Sequence, residues 1–299
     1  MHRRWRANLI LVCAAMIWGS AFVAQSVGMD YVGPFTFQAA RSLLGGLALL
    51  PVIVFMNRKM RPNAPVVSRK TLWTAGLACG SCLFVAPSLQ QVGLLYTSAG
   101  KSGFITALYV VLVPCVSFLL GRRPPLTVWL GAILAAIALY LLCVKDGMSV
   151  GRGELLTLGC ALCFTGHIMV IDHFSGRVDG VRLSCLQFFV CAALAFLCAF
   201  LFEKPSPGAV AQCWLPVGYA GVLSCGVGYT FQILGQRDTS PAIASLLMSL
   251  ESVFAVIFGA LLLHEKLTGQ EYTGCVLMFA AIILAQLPKR KKPSEKITG

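Results

Sequence analysis

Apolar runs of about 20 residues follow one another from one end of this chain to the other. A water-soluble fold cannot hide that much apolar surface, because surface grows too fast with mass. A helix that crosses a bilayer, in contrast, needs about 20 mainly apolar residues. Only 12% of the residues are charged and 58% are hydrophobic, whereas soluble domains carry about 25% charged residues. The expected fold class is an all-α integral membrane protein whose first partner is the lipid bilayer. Charges, Pro and Gly divide the chain into ten apolar segments, about 7–28, 34–56, 71–95, 102–121, 126–144, 153–172, 183–202, 214–235, 240–263 and 268–287. None alternates polar and apolar residues as the strands of a membrane barrel do. The first segment follows MHRRWR. It is long for a signal-peptide core and lacks a small-x-small cleavage site, so it reads as a retained first helix. The tail after Leu287 is polar and is expected to be disordered.

The net charge of +13 does not point to nucleic acid. The basic residues occupy short loops and termini, with no aromatic-interleaved groove. They read as topology signals. With the N-terminus in the cytoplasm and ten segments alternating, 18 Lys and Arg fall inside and 5 outside, and Arg41 lies within a segment. The positive-inside rule then favours ten transmembrane helices in a cell (plasma or inner) membrane, with both termini cytoplasmic.

The chain also repeats itself. QQVGLLYTSA at 90–99 returns as QILGQRDTSP at 232–241, with Gln90 and Gln232, Gly93 and Gly235, Thr97 and Thr239, Ser98 and Ser240 in register. Leu108 then matches Leu250, Val111 matches Val253, and Gly131 matches Gly274 after one inserted residue. Residues 1–146 are therefore read as one five-helix repeat, 147–288 as a second, and 289–299 as a basic cytoplasmic tail. Five is odd, so the second copy enters the membrane upside down. Two inverted five-helix repeats are a secondary-transporter architecture, with the site between the halves near the midplane.

Charge inside a bilayer costs about 2.5–3.5 kcal/mol at a helix centre on insertion scales, so each such residue is informative. Arg41 reads as an anchor for a substrate carboxylate or phosphate, or as a snorkelling side chain. Glu251 reads as a protonatable carboxylate suited to proton coupling or to an ammonium group, or as a strut between the halves. The two could pair. Lys101 opens the fourth segment as an anion attractor or an interfacial lysine, and His167 sits in mid-membrane with a cavity role or a packing role. Asp172 and His173 read as solvated. Gln38, Gln90 and Gln232 are amides in apolar runs that need partners, and Trp18 and Tyr109 could wall a pocket or pack helices. The thirteen cysteines read as small packing residues. Cys79-x-x-Cys82 and Cys160-x-x-Cys163 lack the companions of a zinc site, so no metal is expected.

AMIWGSAFV (15–23), FTFQAARSLLGGLALL (35–50), TSAGKSGFITALYVVLVP (97–114) and SPAIASLLMSLESVFAVIFGALLLHEKLT (240–268) resemble the drug/metabolite transporter superfamily, EamA type, in order and spacing. The resemblance implies ten helices in two inverted repeats and transport of small organic metabolites such as amino acids, with a leaning to export. The sequence departs from the family pattern in two places. Ser252 and Val253 follow Glu251 where the family often has a proline, and Arg122 stands where an acidic residue matching Glu265 is often found. Lys101 marks a subgroup.

The favoured function is a secondary active transporter for a small-molecule solute. The chain has no P-loop motif for ATP, so no cofactor is expected and a proton or ion gradient would supply the energy. A channel is the alternative, although no charge ring or TVGYG-like filter is present. An intramembrane enzyme ranks lower, since H-E-x-x-H does not occur and the one Gly-x-Ser-x-Gly string, GMSVG at 147–151, falls between apolar segments rather than on a strand-to-helix elbow. A monomer and a homodimer both remain open.

Overall fold

The computed structural model describes residues 2–59, 68–93, 95–97, 99–143, 151–262 and 268–287. The basic tail, Glu265, and the loops at 60–67 and 144–150 lie outside the described residues. Every expected apolar segment is helical over its described part, and no strand occurs among the described residues. Among the described residues, seven stretches are long and apolar enough to cross a membrane: 34–58, 69–93, 102–119, 152–174, 180–202, 214–236 and 241–258.

In chain order the helices are α1 (His2–Met29), α2 (Pro34–Lys59), α3 (Arg69–Gly93), α4 (Ala99–Ala107) and α5 (Tyr109–Leu119). After these come α6 (Leu126–Cys143), α7 (Arg152–Phe174), α8 (Gly180–Phe202), the short α9 (Pro207–Gln212) and α10 (Trp214–Gly218). A π-helix then spans Tyr219–Tyr229 and leads into α11 (Thr230–Gln236), α12 (Pro241–Met248), α13 (Leu250–Leu262) and α14 (Gly269–Gln286). The fourth and ninth apolar segments are each broken, at Leu108 and Ser249 respectively.

Hydrogen bonds between elements sort into two ends of the bundle. At one, the Gly33 end, the Glu203 carboxylate accepts from the backbone N–H groups of Phe35 and Thr36 and from Thr36 Oγ1, at 2.9, 2.9 and 2.6 Å. A carboxylate at a helix N-terminus satisfies orphan donors and complements the helix dipole. Thr97 donates to Glu154 at the same end. At the other, the Arg122 end, Arg122 pairs with Asp172, Arg182 donates to Asn57, and Asn8 bonds Gln286 and Thr239. Asp172 is thus held by an ion pair, with its side chain only 12% exposed. The expectation of a solvated aspartate fails because Arg122, from the loop after α5, reaches it. His173 contacts Arg177.

The packing is two-fold. α2 packs on α8, and α6 on α14. α3 packs on α7 and α8, as the π-helix packs on α1 and α2. α7 lies against α4 and α5, as α1 lies against α12 and α13. Exchanging the halves of the chain maps each of these contacts onto another. Single residues obey the same exchange. A Cβ at Gly131 would meet the Ala281 carbonyl oxygen at 2.9 Å, and one at Gly274 would meet the Ala138 carbonyl oxygen at 3.0 Å. Only glycine lets these helices approach so closely. The exchange is incomplete near the middle: α5 packs on α12, whereas no comparable packing joins α4 to α13 among the described residues.

Candidate functional site

At the centre of the bundle lies a cavity with about 80 Å³ open to the centres of water-sized spheres. One water needs roughly 10–15 Å³ on that measure, so the space suits a small organic solute.

The broken segments supply its middle. Tyr109 begins α5 just after the break at Leu108, and Glu251 lies one residue into α13, after the break at Ser249. Tyr109 Oη donates to Glu251 Oε1 at 3.0 Å. Glu251 is the only acidic residue lining the cavity among the described residues. Gln90 Nε2 donates to Thr106 Oγ1 at 2.9 Å. The counterpart amide, Gln232, keeps its Oε1 without a partner, with the residue 2% exposed. An orphaned buried acceptor on a cavity wall is free to take a hydrogen bond from a solute.

Arg41 lies toward the Gly33 end. Pro34 starts α2 with a φ suited to a first helical turn, and Glu203 fixes that turn two helical turns before the guanidinium. Arg41 is 6% exposed. Nε and Nη2 both donate to Gln38 Oε1, and Nη1 donates to Gln25 Oε1 at 2.7 Å. A guanidinium has five donors, so two N–H groups remain for a ligand. No ion pair joins Arg41 to Glu251 among the described residues; each charge has its own uncharged partners. Trp18 packs on Tyr229 with ring centroids 4.7 Å apart, and Trp18 Nε1 donates to the Ser224 carbonyl within the π-helix. π-helical turns leave main-chain groups off the regular ladder and recur at functional sites.

Of the residues singled out from sequence, Arg41, Glu251, Gln90, Gln232, Trp18 and Tyr109 line this one cavity. Gln38 stands behind Arg41 and also donates to Cys191 Sγ. His167 is not on the cavity. It is fully buried, bonded through Nε2 to Gln187 Oε1 at 3.1 Å, and edge-on to Tyr229, which lines the cavity. The side chain of Lys101 lies outside the described residues. Sequence reasoning missed Gln25, Thr106, Ser224 and Ser252. Gln25 was visible as an amide in an apolar run. The Ser224 carbonyl depends on the π-helix, which has no sequence signature.

The lining follows the repeat. The register that matches Gln90 with Gln232 also matches Pro87 with Tyr229, Thr106 with Met248 and Tyr109 with Glu251, and both members of each pair line the cavity. For the first two helices of each repeat the register follows from packing. A Cβ at Gly235 would lie 3.1 Å from the Ala7 carbonyl oxygen, and one at its counterpart Gly93 would lie 3.1 Å from that of Gly153, which makes Ala7 and Gly153 counterparts. The starts of α2 at Pro34 and α8 at Gly180 keep that offset, which makes Arg41 and Gln187 counterparts. The same offset matches Trp18 with Phe164, and both line the cavity. Six lining residues lack a lining counterpart; besides Ile168 and Ser224, these are Gln25, Arg41, Gly103 and Ser252. Their counterparts Ile171, Gln187, Ser245 and Val110 are each 0% exposed. The cavity therefore straddles the symmetry axis and extends from it mainly toward the Gly33 end.

A bundle of apolar helices long enough to cross a bilayer, around a polar cavity, defines a multi-pass membrane protein. The chain belongs to the EamA-like transporter family, whose model matches it twice, at residues 5–144 and 151–287. It is 30% identical to an uncharacterized transporter of Archaeoglobus fulgidus over 293 residues, covering 95% of this chain and 87% of the relative. It is 22% identical to the uncharacterized inner membrane transporter YedA of Escherichia coli, covering 95% and 92%. A solved crystal structure aligns with a TM-score of 0.79 at 20% identity over 94% of this chain and 96% of that one, which supports the fold. Membership of a transporter family agrees with the non-enzymatic reading.

Proposed function

We propose that this protein is a secondary active transporter that exports small organic metabolites, amino acids and related compounds among them, by alternating access between two inverted repeats. In this reading all ten apolar segments span the membrane. The Arg122 end is cytoplasmic, because Arg4, Arg58, Arg69, Arg122, Arg177 and Arg237 fall there by chain order and the positive-inside rule applies. The observation that carries the reading is the one-sided cavity. Its walls are matched pairs at the axis, while Gln25, Arg41, Gly103 and Ser252 line it toward the Gly33 end and their counterparts toward the Arg122 end are buried. Two near-equivalent halves give two near-mirror states, and a packed core is bistable rather than continuously deformable. Arg41 takes the anionic group of the solute. Glu251 takes its cationic group, or carries the proton that couples transport to a gradient.

The sealed Arg122 end, closed by α5 against α12, weighs against the channel alternative. The test is release of a mixed metabolite extract from proteoliposomes, followed by mass spectrometry. Selective, saturable release that exchanges against external solute supports the transporter. Non-saturating release of many compounds would move the reading to a channel.

A further inference from the structure

We propose that His167 and Gln187 form a second, uncharged face of the solute site, which meets the solute when the cavity opens at the Arg122 end. The proposal rests on the alternating-access reading above and adds a binding surface that the described state conceals.

Gln187 is the counterpart of Arg41, by the offset that the matching approaches of Gly93 and Gly235 fix and that the starts of α2 and α8 share. When the halves exchange roles, the place that Arg41 holds at the Gly33 end is held by Gln187 at the Arg122 end. Two polar atoms on this pair have no partner. His167 Nδ1 and Gln187 Nε2 are both buried and unbonded, in residues that are 0% exposed. Buried polar groups are nearly always satisfied, and exceptions call for an explanation. A pair that is satisfied in the other state supplies one. His167 of this pair abuts Tyr229, a cavity wall, so a shift of that ring would bring the pair toward the solute space.

The chemistry of the pair is specific. Gln187 Oε1 accepts from His167 Nε2, so the imidazole proton is on Nε2 and Nδ1 is an acceptor. The amide Nε2 is a donor. Together they present one donor and one acceptor without charge. Such an edge takes a hydrogen-bonding head group, a carboxylate accepting from the amide beside an amino or hydroxyl group donating to the imidazole. The solute then meets a guanidinium on one side of the membrane and a neutral edge on the other, and an anionic head is held more weakly on the second side.

The experiment introduces Gln187→Cys and the near-isosteric Ser245→Cys into the full-length protein, with Ser252→Cys as the reference. Right-side-out and inside-out membrane vesicles are treated with a membrane-impermeant cationic methanethiosulfonate. Modification is read at the individual residue by fragmenting the modified peptide, which separates the cysteine at 187 from the native Cys185 and Cys191. The proposal expects Ser252→Cys to be modified from the Gly33 face, and Gln187→Cys and Ser245→Cys from the Arg122 face alone. If Gln187→Cys does not fold, Ser245→Cys carries the test. Ser252→Cys modified while neither of the others reacts from the Arg122 face would overturn the proposal and leave the open cavity standing. Ser252→Cys inert from both faces would overturn the cavity reading beneath it as well.

Discussion

Tyr109 and Glu251 are 142 positions apart, the offset that brings Gln90 onto Gln232, and their side chains are hydrogen-bonded to each other at 3.0 Å. Counterparts can touch only at a symmetry axis. This bond therefore marks the axis, at the breaks of the two segments that cross there. One repeat supplies a phenol and the other a carboxylate, so the axis carries a single ionisable acid. Glu251→Gln retains an acceptor for Tyr109 but cannot cycle a proton. It is expected to abolish accumulation driven by a pH gradient while leaving solute counterflow. Flux measured with and without the gradient checks this, and an unchanged gradient response would remove Glu251 from coupling.

Tyr109→Phe removes the described partner of Glu251 and leaves the carboxylate unsatisfied. Leaving a buried polar group without its hydrogen bond costs about 1–3 kcal/mol. The variant should unfold earlier in detergent than the parent. The double variant Tyr109→Phe with Glu251→Leu should recover part of that loss, because both partners have then become apolar.

Gly131→Leu and Gly274→Leu should destabilise the protein by similar amounts. Each added side chain meets the carbonyl of a facing helix at about the same distance, and overpacking typically costs ~1–3 kcal/mol. Thermal unfolding of the two variants side by side checks the symmetry. A large loss in one and none in the other would contradict it.

Arg41→Lys should weaken solute binding by about tenfold, a difference of ~1.4 kcal/mol. Lysine keeps the charge but loses the planar fork that Gln25 and Gln38 aim. Gln38→Ala should act in the same direction with a smaller effect. Half-saturation concentrations for the released solute measure both. An anionic head group predicts that esterified analogues lose the Arg41 dependence.

The fold was readable because the bilayer imposes a length rule. Run length alone placed α2, α3, α7 and α8 to within a few residues of their ends. The breaks at Leu108 and Ser249 were not readable, since neither is Pro or Gly, and tertiary packing at the axis overrides local propensity there. Six cavity residues could be named because polar side chains at lipid depth are costly and therefore few. His167 misled for the same reason: polarity at depth shows that a partner is required, not that the residue lines the cavity. Its partner Gln187 could not be paired with it before the helices were placed.

The central claim is that one cavity opens alternately at two ends by exchange of equivalent contacts. Its most direct test is a pair of distances by pulsed electron paramagnetic resonance, Tyr96 to Leu261 at the Gly33 end and Leu119 to Asp238 at the Arg122 end. All four residues are exposed, and the repeat register maps one pair onto the other. Spin labels introduced as non-natural amino acids avoid the native cysteines. The account predicts two populations, long at the Gly33 end with short at the Arg122 end, and the reverse, with nearly exchanged values and a balance that solute shifts. A single fixed distance for each pair, with and without solute, would contradict it.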